Sequence, residues 1–324
     1  MRDLPKFDIS SFVLLNDRQP IASGGGGQIF EVTPRRKLSP KILLGVSYFI
    51  KIPLSEAPIE KPGVFKRHLE EIYKRTERKT AYFESRCALP IAIVERGGKY
   101  LGFLMVKFDK GCFFTKTYGN GETGVVLQEL QNFLNRPEER NFFSVPRLNL
   151  LARLEILADY LETTNQVHEH GLVIGDISGK NIVLQNKPSR NYSYRALVLD
   201  IDSFRSVGYK HPLGSQFTQD WMSPEELADH EFMSNKATDV YKAALLATRL
   251  LHQAGTDTGS SFDIYASDVA ADLLSEIGAS ETRDLIKAAL DPDPTLRPPA
   301  AQLSRSFKQL VKAKSGGLED YEAR

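Results

Sequence analysis

Asp176 and Asn181 stand five residues apart in the stretch His170 to Leu184, HGLVIGDISGKNIVL. A helical pattern stops at Gly171, a strand-like Leu172-Val173-Ile174 follows, and a loop then carries the two polar groups into a second strand, Ile182-Val183-Leu184. Such a loop presents a carboxylate as a general base and an amide as a metal ligand at a fixed separation. The same spacing also serves as a polar turn between two strands, so the rest of the chain has to decide. Four consecutive glycines, Gly24, Gly25, Gly26 and Gly27, are costly to order. They form either a flexible hairpin turn or a turn whose N–H groups approach a phosphate chain. Lys51 interrupts the apolar run Val46–Ile52, a position ordinarily taken by a solvent-facing or edge residue. Leu197-Val198-Leu199 runs into Asp200, a carboxylate at a strand end or simply a turn residue.

The elements that must hold these groups follow from periodicity. Residues 12–15 read as a strand, and the apolar flanks of the glycines, with Ile29, Phe30 and Val32 after them, make strand–turn–strand. Residues 33–46 form a proline-punctuated loop before the strand bearing Lys51. Residues 64–86 predict one long helix with Phe65, Leu69, Ile72 and Phe83 as its apolar stripe. Ile91–Val94 and Tyr100–Phe108 make a hairpin about Glu95-Arg96-Gly97-Gly98, with Lys107 to Gly111 as a connector. A helix is expected near 124–134, and the strongest helix in the chain over Pro146–Gly171. Ala196–Leu199 is a strand, 205–220 a loop, and Thr238 opens a very apolar helix. The last residues, 314–324, read as a frayed end.

Charge and composition narrow the function classes. The 42 basic and 41 acidic residues give a net charge of +1, which offers no electrostatic reason to expect nucleic acid or an anionic membrane as partner. The two cysteines, Cys87 and Cys112, fit a reducing compartment and build neither a disulfide framework nor a metal cluster. The first residues lack the pattern of a secretion signal, and no apolar run approaches a membrane span, so a cytoplasmic location is expected.

In order, the glycine loop, Lys51, Asp176 with Asn181, Asp200-Ile201-Asp202, Ser223-Pro224-Glu225, Asp239-Val240-Tyr241 and Arg297 resemble the motifs of eukaryotic-type (Hanks-type) Ser/Thr protein kinases. The resemblance covers about residues 12–312. It implies an α+β, two-lobed fold: a β-rich lobe with one long helix over 1–106, a larger helical lobe over 107–312, and a flexible tail over 313–324. It implies ATP and magnesium (or manganese) as cofactors and a protein hydroxyl as acceptor. Gly24, Gly25, Gly26 and Gly27 would cover the phosphates, and Lys51 would hold them. A helix glutamate, Glu77 in preference to Glu70, would pair with Lys51. Backbone groups at Val106 and Phe108 would meet the adenine. Asn181 and Asp200 would hold magnesium, Asp176 would be the base, and Lys180 would steady the transferring phosphoryl group. Glu225 and Arg297 would form a structural ion pair.

The departures from the family pattern are informative. Ala22 replaces the first loop glycine, Ile174-Gly175 replaces the usual His-Arg before the base, and Ser178 stands where such kinases often carry lysine. Lys180 occupies the cation position that tyrosine kinases use. Without the arginine, a phosphate on the activation loop has no partner there, so activity independent of loop phosphorylation is expected. Asp202 stands for a glycine and reads as a second ligand or a turn residue. Gly102-Phe103-Leu104-Met105 and Asp200-Ile201-Asp202-Ser203-Phe204 resemble an atypical bacterial branch found beside phosphatases and stress-response proteins. A nucleotide-binding pseudokinase scaffold and a small-molecule kinase are the competing classes. The intact polar set argues against the first, and Ser223-Pro224-Glu225 with Arg297 against the second.

Overall fold

The computed structural model describes residues 3–16, 19–24, 27–54, 62–119, 121–134, 140, 144–146, 148–186, 193–209, 211, 217–255 and 264–314. The protein is α+β and divides into two compact units, Met1–Phe108 with Asp200–Gly214, and Asp109–Leu199 with Ser215–Arg324. The first unit is rich in sheet and the second in helix. Residues 200–214 therefore belong with the first unit, although they lie far downstream in sequence.

In the first unit, β1 (Lys6–Asp8), β2 (Phe12–Leu14), β3 (Ala22–Gly24), β4 (Gly27–Pro34), β5 (Tyr48–Ile52), β6 (Pro90–Arg96) and β7 (Lys99–Val106) form one sheet. Its order is β1-β6-β7-β5-β4-β2, with β3 also paired to β4. The short edge strand β1 pairs parallel with β6; the other pairings are antiparallel. Phe12, Val32, Tyr48, Ile50, Ala92, Val94 and Leu104 share one buried cluster with Ile42. Side chains alternate along a strand, so Phe49 and Lys51 turn away from Ile50. Helix α1 (Pro62–Thr76) lies against β6 and β7 and buries Phe65, Leu69 and Ile72 at helical spacing.

The single helix expected over 64–86 is broken. α1 ends at Thr76, a 3-10 turn covers Glu77–Lys79, and a short α2 (Thr80–Glu84) follows. Thr76 Oγ1 donates to the carbonyls of Ile72 and Tyr73, both at 3.0 Å, and Thr80 Oγ1 donates to that of Glu77 at 2.6 Å. Hydroxyls that bond their own backbone compete with the regular helical ladder.

The second unit opens with a hairpin, β8 (Phe113–Thr117) and β9 (Thr123–Leu127), then α3 (Leu130–Leu134). The helix expected near 124–134 is therefore half strand; Val125 and Val126 are β-branched and pair with Thr115 and Phe114. α4 (Leu150–Glu169) is buried nearly all round and packs against β12 and the helices α6 and α9 defined below. Asn149 Oδ1 caps it by accepting from the Ala152 N–H at 2.8 Å, and Gly171 at φ +70° turns the chain out of it. There follow β10 (Leu172–Val173), the antiparallel pair β11 (Ile182–Asn186) and β12 (Tyr194–Val198), and helices α5 (Pro224–Ala228), α6 (Lys236–Gly255), α7 (Ile264–Glu276), α8 (Ser280–Ala289) and α9 (Ala300–Lys314). Two acids of α4 fasten the start of β12: Glu155 accepts from the Ser193 N–H at 2.8 Å and Asp159 from the Ala196 N–H at 2.9 Å. Among the described residues no helix is long and apolar enough to cross a membrane.

Candidate active site

Lys51 sits in β5 opposite Ile29 on β4 and Phe103 on β7. Two glycines let neighbouring backbone close on it. A Cβ at Gly102 would overlap the Lys51 carbonyl oxygen, and one at Gly27 would lie 2.6 Å from the Ile52 carbonyl oxygen. Gly27 also has φ +147°, a conformation that favours glycine. Gly24 pairs with Gly27 across the β3–β4 turn; Gly25 and Gly26 lie outside the described residues.

The Lys51 ammonium is held by two carboxylates, Asp200 Oδ1 and Asp202 Oδ1, the latter at 2.6 Å. A 3-10 turn over Ile201–Ser203 makes this double contact possible. The Asp200 carbonyl accepts from Ser203 N at 2.9 Å and Ser203 Oγ at 2.6 Å, while Ile201 and Phe204 anchor the turn in apolar surroundings. Burial alone would push the Lys51 ammonium down, but the charges of Asp202 and Asp200 outweigh it and hold it above the ordinary lysine range. Burial and the neighbouring Asp202 charge push the Asp200 carboxyl up to about 6, against the pull of Lys51. Asp202 is thus an ion-pair partner rather than only a turn residue.

The helix glutamates are elsewhere, which corrects the expected pairing of Lys51 with Glu77. The break at Thr76 puts Glu77 in an exposed turn, and Glu70 is half-buried beside Lys6 and Lys66. The α1 side chain that reaches the Asp200 turn is His68, whose Nε2 is 3.3 Å from the Asp202 carbonyl oxygen. His211 Nε2 donates to that same oxygen, and the two imidazoles meet edge to face with centroids 4.7 Å apart. Burial, then the His211 charge, push the His68 imidazole down to about 3, so it is neutral at ordinary pH. Val106 ends β7 half-exposed, and the Phe108 ring packs edge-on against Phe49 at 5.5 Å.

In the second unit, both oxygens of the Asp176 carboxylate are engaged. Asn181 Nδ2 donates to Oδ2 and to the Asp176 carbonyl, each at 2.9 Å, and Thr218 Oγ1 donates to Oδ1 at 2.9 Å. The loop before Asp176 is braced from α6. Asp239 accepts from the N–H groups of Ile174 at 2.7 Å and Gly175 at 2.9 Å, and bonds His168 Nε2 at 3.0 Å. Gly175 has φ +82°, which a larger residue would strain. Lys180 is exposed and lies within electrostatic reach of Glu129, whose carboxyl burial pushes up against the pull of Lys180 and Lys116. Arg297 grips Glu225 with two parallel bonds at 2.7 and 2.8 Å, the pair expected from the sequence.

Each unit carries a side-chain oxygen of the type a hard cation takes. In the second unit Asn181 commits its amide nitrogen to Asp176, which leaves its Oδ1 as an oxygen donor, and in the first unit Asp200 carries a carboxylate beside Lys51. Both are the oxygen ligands that magnesium or manganese takes. Among the described residues no group of three or more His, Cys, Asp or Glu side chains is placed to hold a metal ion. Lys242 Nζ also donates to the Gly175 carbonyl at 2.9 Å and pairs with Glu226; these two and the imidazoles His68 and His211 were not singled out by sequence reasoning. A lysine three residues after Asp239, inside an apolar helix, was the available signal. No family model matches the chain, and no curated protein matches it.

Proposed function

We propose that the protein is an ATP- and magnesium-dependent protein kinase that phosphorylates Ser or Thr hydroxyls. The observation that carries this reading is the Asp176 carboxylate held between Asn181 Nδ2 and Thr218 Oγ1. A carboxylate oriented in this way accepts the proton of an incoming hydroxyl as the new O–P bond forms. Lys51 binds phosphate oxygens, helped by the close backbone approach at Gly27 and Gly102. Asn181 in the second unit and Asp200 in the first each carry an oxygen that would serve magnesium as a ligand, and the ion when bound would neutralise phosphate charge. Lys180, exposed and four residues after the base, meets negative charge on the transferred group. Gly175 makes its hydrogen bonds to Asp239 and Lys242, so the base loop has its partners without a phosphate on the segment that contains Thr218.

The test is transfer from γ-labelled ATP to the chain or to a generic protein substrate, with Asp176→Ala as control. Label that is lost in the variant supports the reading. Tight ATP binding without transfer replaces it with a nucleotide-binding scaffold, and label found on a small hydroxyl compound replaces it with a small-molecule kinase.

A further inference from the structure

Two carboxylates on one ammonium raise the question of what each is for. Asp202 keeps only 8% of its side chain exposed, against 25% for Asp200. Its backbone is also fixed, because its carbonyl oxygen takes bonds from both His68 and His211. Asp200 sits at the start of the 3-10 turn, where its side chain makes no capping bond. Neither Glu70 nor Glu77 reaches Lys51 among the described residues. We infer that Asp202 is the standing anchor that positions Lys51, while Asp200 is the exchangeable partner whose carboxylate is released to a divalent cation.

This inference rests on the kinase reading and deepens it. An ammonium has three N–H groups. Asp202 occupies one, and when Asp200 turns to a cation the others are left for phosphate oxygens. Lys51 then keeps a partner throughout and is never left as a buried, uncompensated charge. The anchor lies two residues after Asp200 in the same turn, so placement of Lys51 does not depend on α1 supplying a glutamate.

The test is equilibrium ATP binding to the full chain, with and without magnesium, alongside thermal unfolding. Asp202→Asn is expected to weaken ATP binding about tenfold even in magnesium-free buffer, with Asp202→Glu recovering part of the loss. Asp200→Asn is expected to lose chiefly the gain in affinity on adding magnesium. Lys51→Met with Asp202→Asn should bind no more weakly than the weaker single variant. Unchanged affinity in Asp202→Asn, or the same pattern of loss in both asparagine variants, overturns the division of roles. A wild-type chain that binds no ATP in either buffer defeats the kinase reading instead. Thermal unfolding then still decides the anchor: strongly non-additive shifts for Lys51→Met and Asp202→Asn support it, and additive shifts overturn it.

Discussion

Lys242 Nζ lies 2.9 Å from the Gly175 carbonyl oxygen and 2.8 Å from Glu226 Oε1, with its side chain wholly out of solvent. Glu226 in turn accepts from Ser234 Oγ at 2.6 Å and Ser223 N at 3.0 Å. With Asp239 on the Gly175 N–H, the peptide groups on both sides of this residue are clamped from one helix. Removing one partner of a buried pair leaves the other charge uncompensated, at a cost of about 3–5 kcal/mol. Lys242→Met should therefore lose about that much stability in urea unfolding, and Lys242→Met with Glu226→Gln should recover most of it. A double variant as unstable as the single one would show that the packing of the lysine stem, not charge pairing, matters here.

Thr218 holds the side of the Asp176 carboxylate that Asn181 does not. Replacing it with valine keeps the shape and removes the donor. Thr218→Val should lower the transfer rate about tenfold while ATP affinity holds, since the lost bond is on the base and not on the nucleotide. Thr218→Ser should stay close to wild type. Single-turnover rates beside calorimetric ATP titrations separate the two quantities, and an equal fall in both would count against Thr218 acting on the base.

Gly102→Ala is expected to be among the most damaging of small substitutions in the sheet. The added methyl would overlap the Lys51 carbonyl, and the nearby contact is backbone that cannot swing aside. Overpacking of this kind costs about 1–3 kcal/mol, and here it also shifts the strand that carries the lysine. The expected result is a lower unfolding midpoint together with weaker ATP binding. Gly97→Ala is the control for crowding: it has positive φ, but a Cβ there meets nothing within 4 Å.

His68 gives the first unit a pH dependence of known sign. Its folded pKa, about 3, lies below the unfolded value near 6.5, so the unfolded chain binds the extra proton first. The contribution is fully present above about pH 6.5 and is lost progressively as pH falls towards 3, with a slope of up to about 1.4 kcal/mol per pH unit. His68→Gln keeps a donor for the Asp202 carbonyl and removes the titration. Its stability should fall less steeply than wild type between pH 6 and 4, measured by denaturant unfolding. Parallel curves would place the acid sensitivity elsewhere.

Strong periodicity made much of this legible in advance. The helix at 150–169, the strand of Lys51 and the Asp176–Asn181 loop all follow from apolar patterns that tertiary packing reinforces. Glu77 was misplaced because two threonine hydroxyls break a helix whose apolar stripe runs on unbroken in sequence. The β8–β9 hairpin was hidden by its glycines, although the valines at 125 and 126 marked a strand. Asp202 and Lys242 were underread for a shared reason. Each has a partner far off in sequence, 151 residues away for Asp202 and 67 for Lys242, and no local pattern reports a partner at that distance.

The interrupted make-up of the first unit has a consequence for how the chain is born. Its residues up to Phe108 leave the ribosome well before Asp200–Gly214, with 109–199 made in between. At about 5–20 residues per second that gap lasts on the order of 5–20 s. Throughout it the nascent sheet carries a lysine whose two carboxylates do not yet exist. The N-terminal segment completes its lysine site only when the chain returns with Asp200 and Asp202.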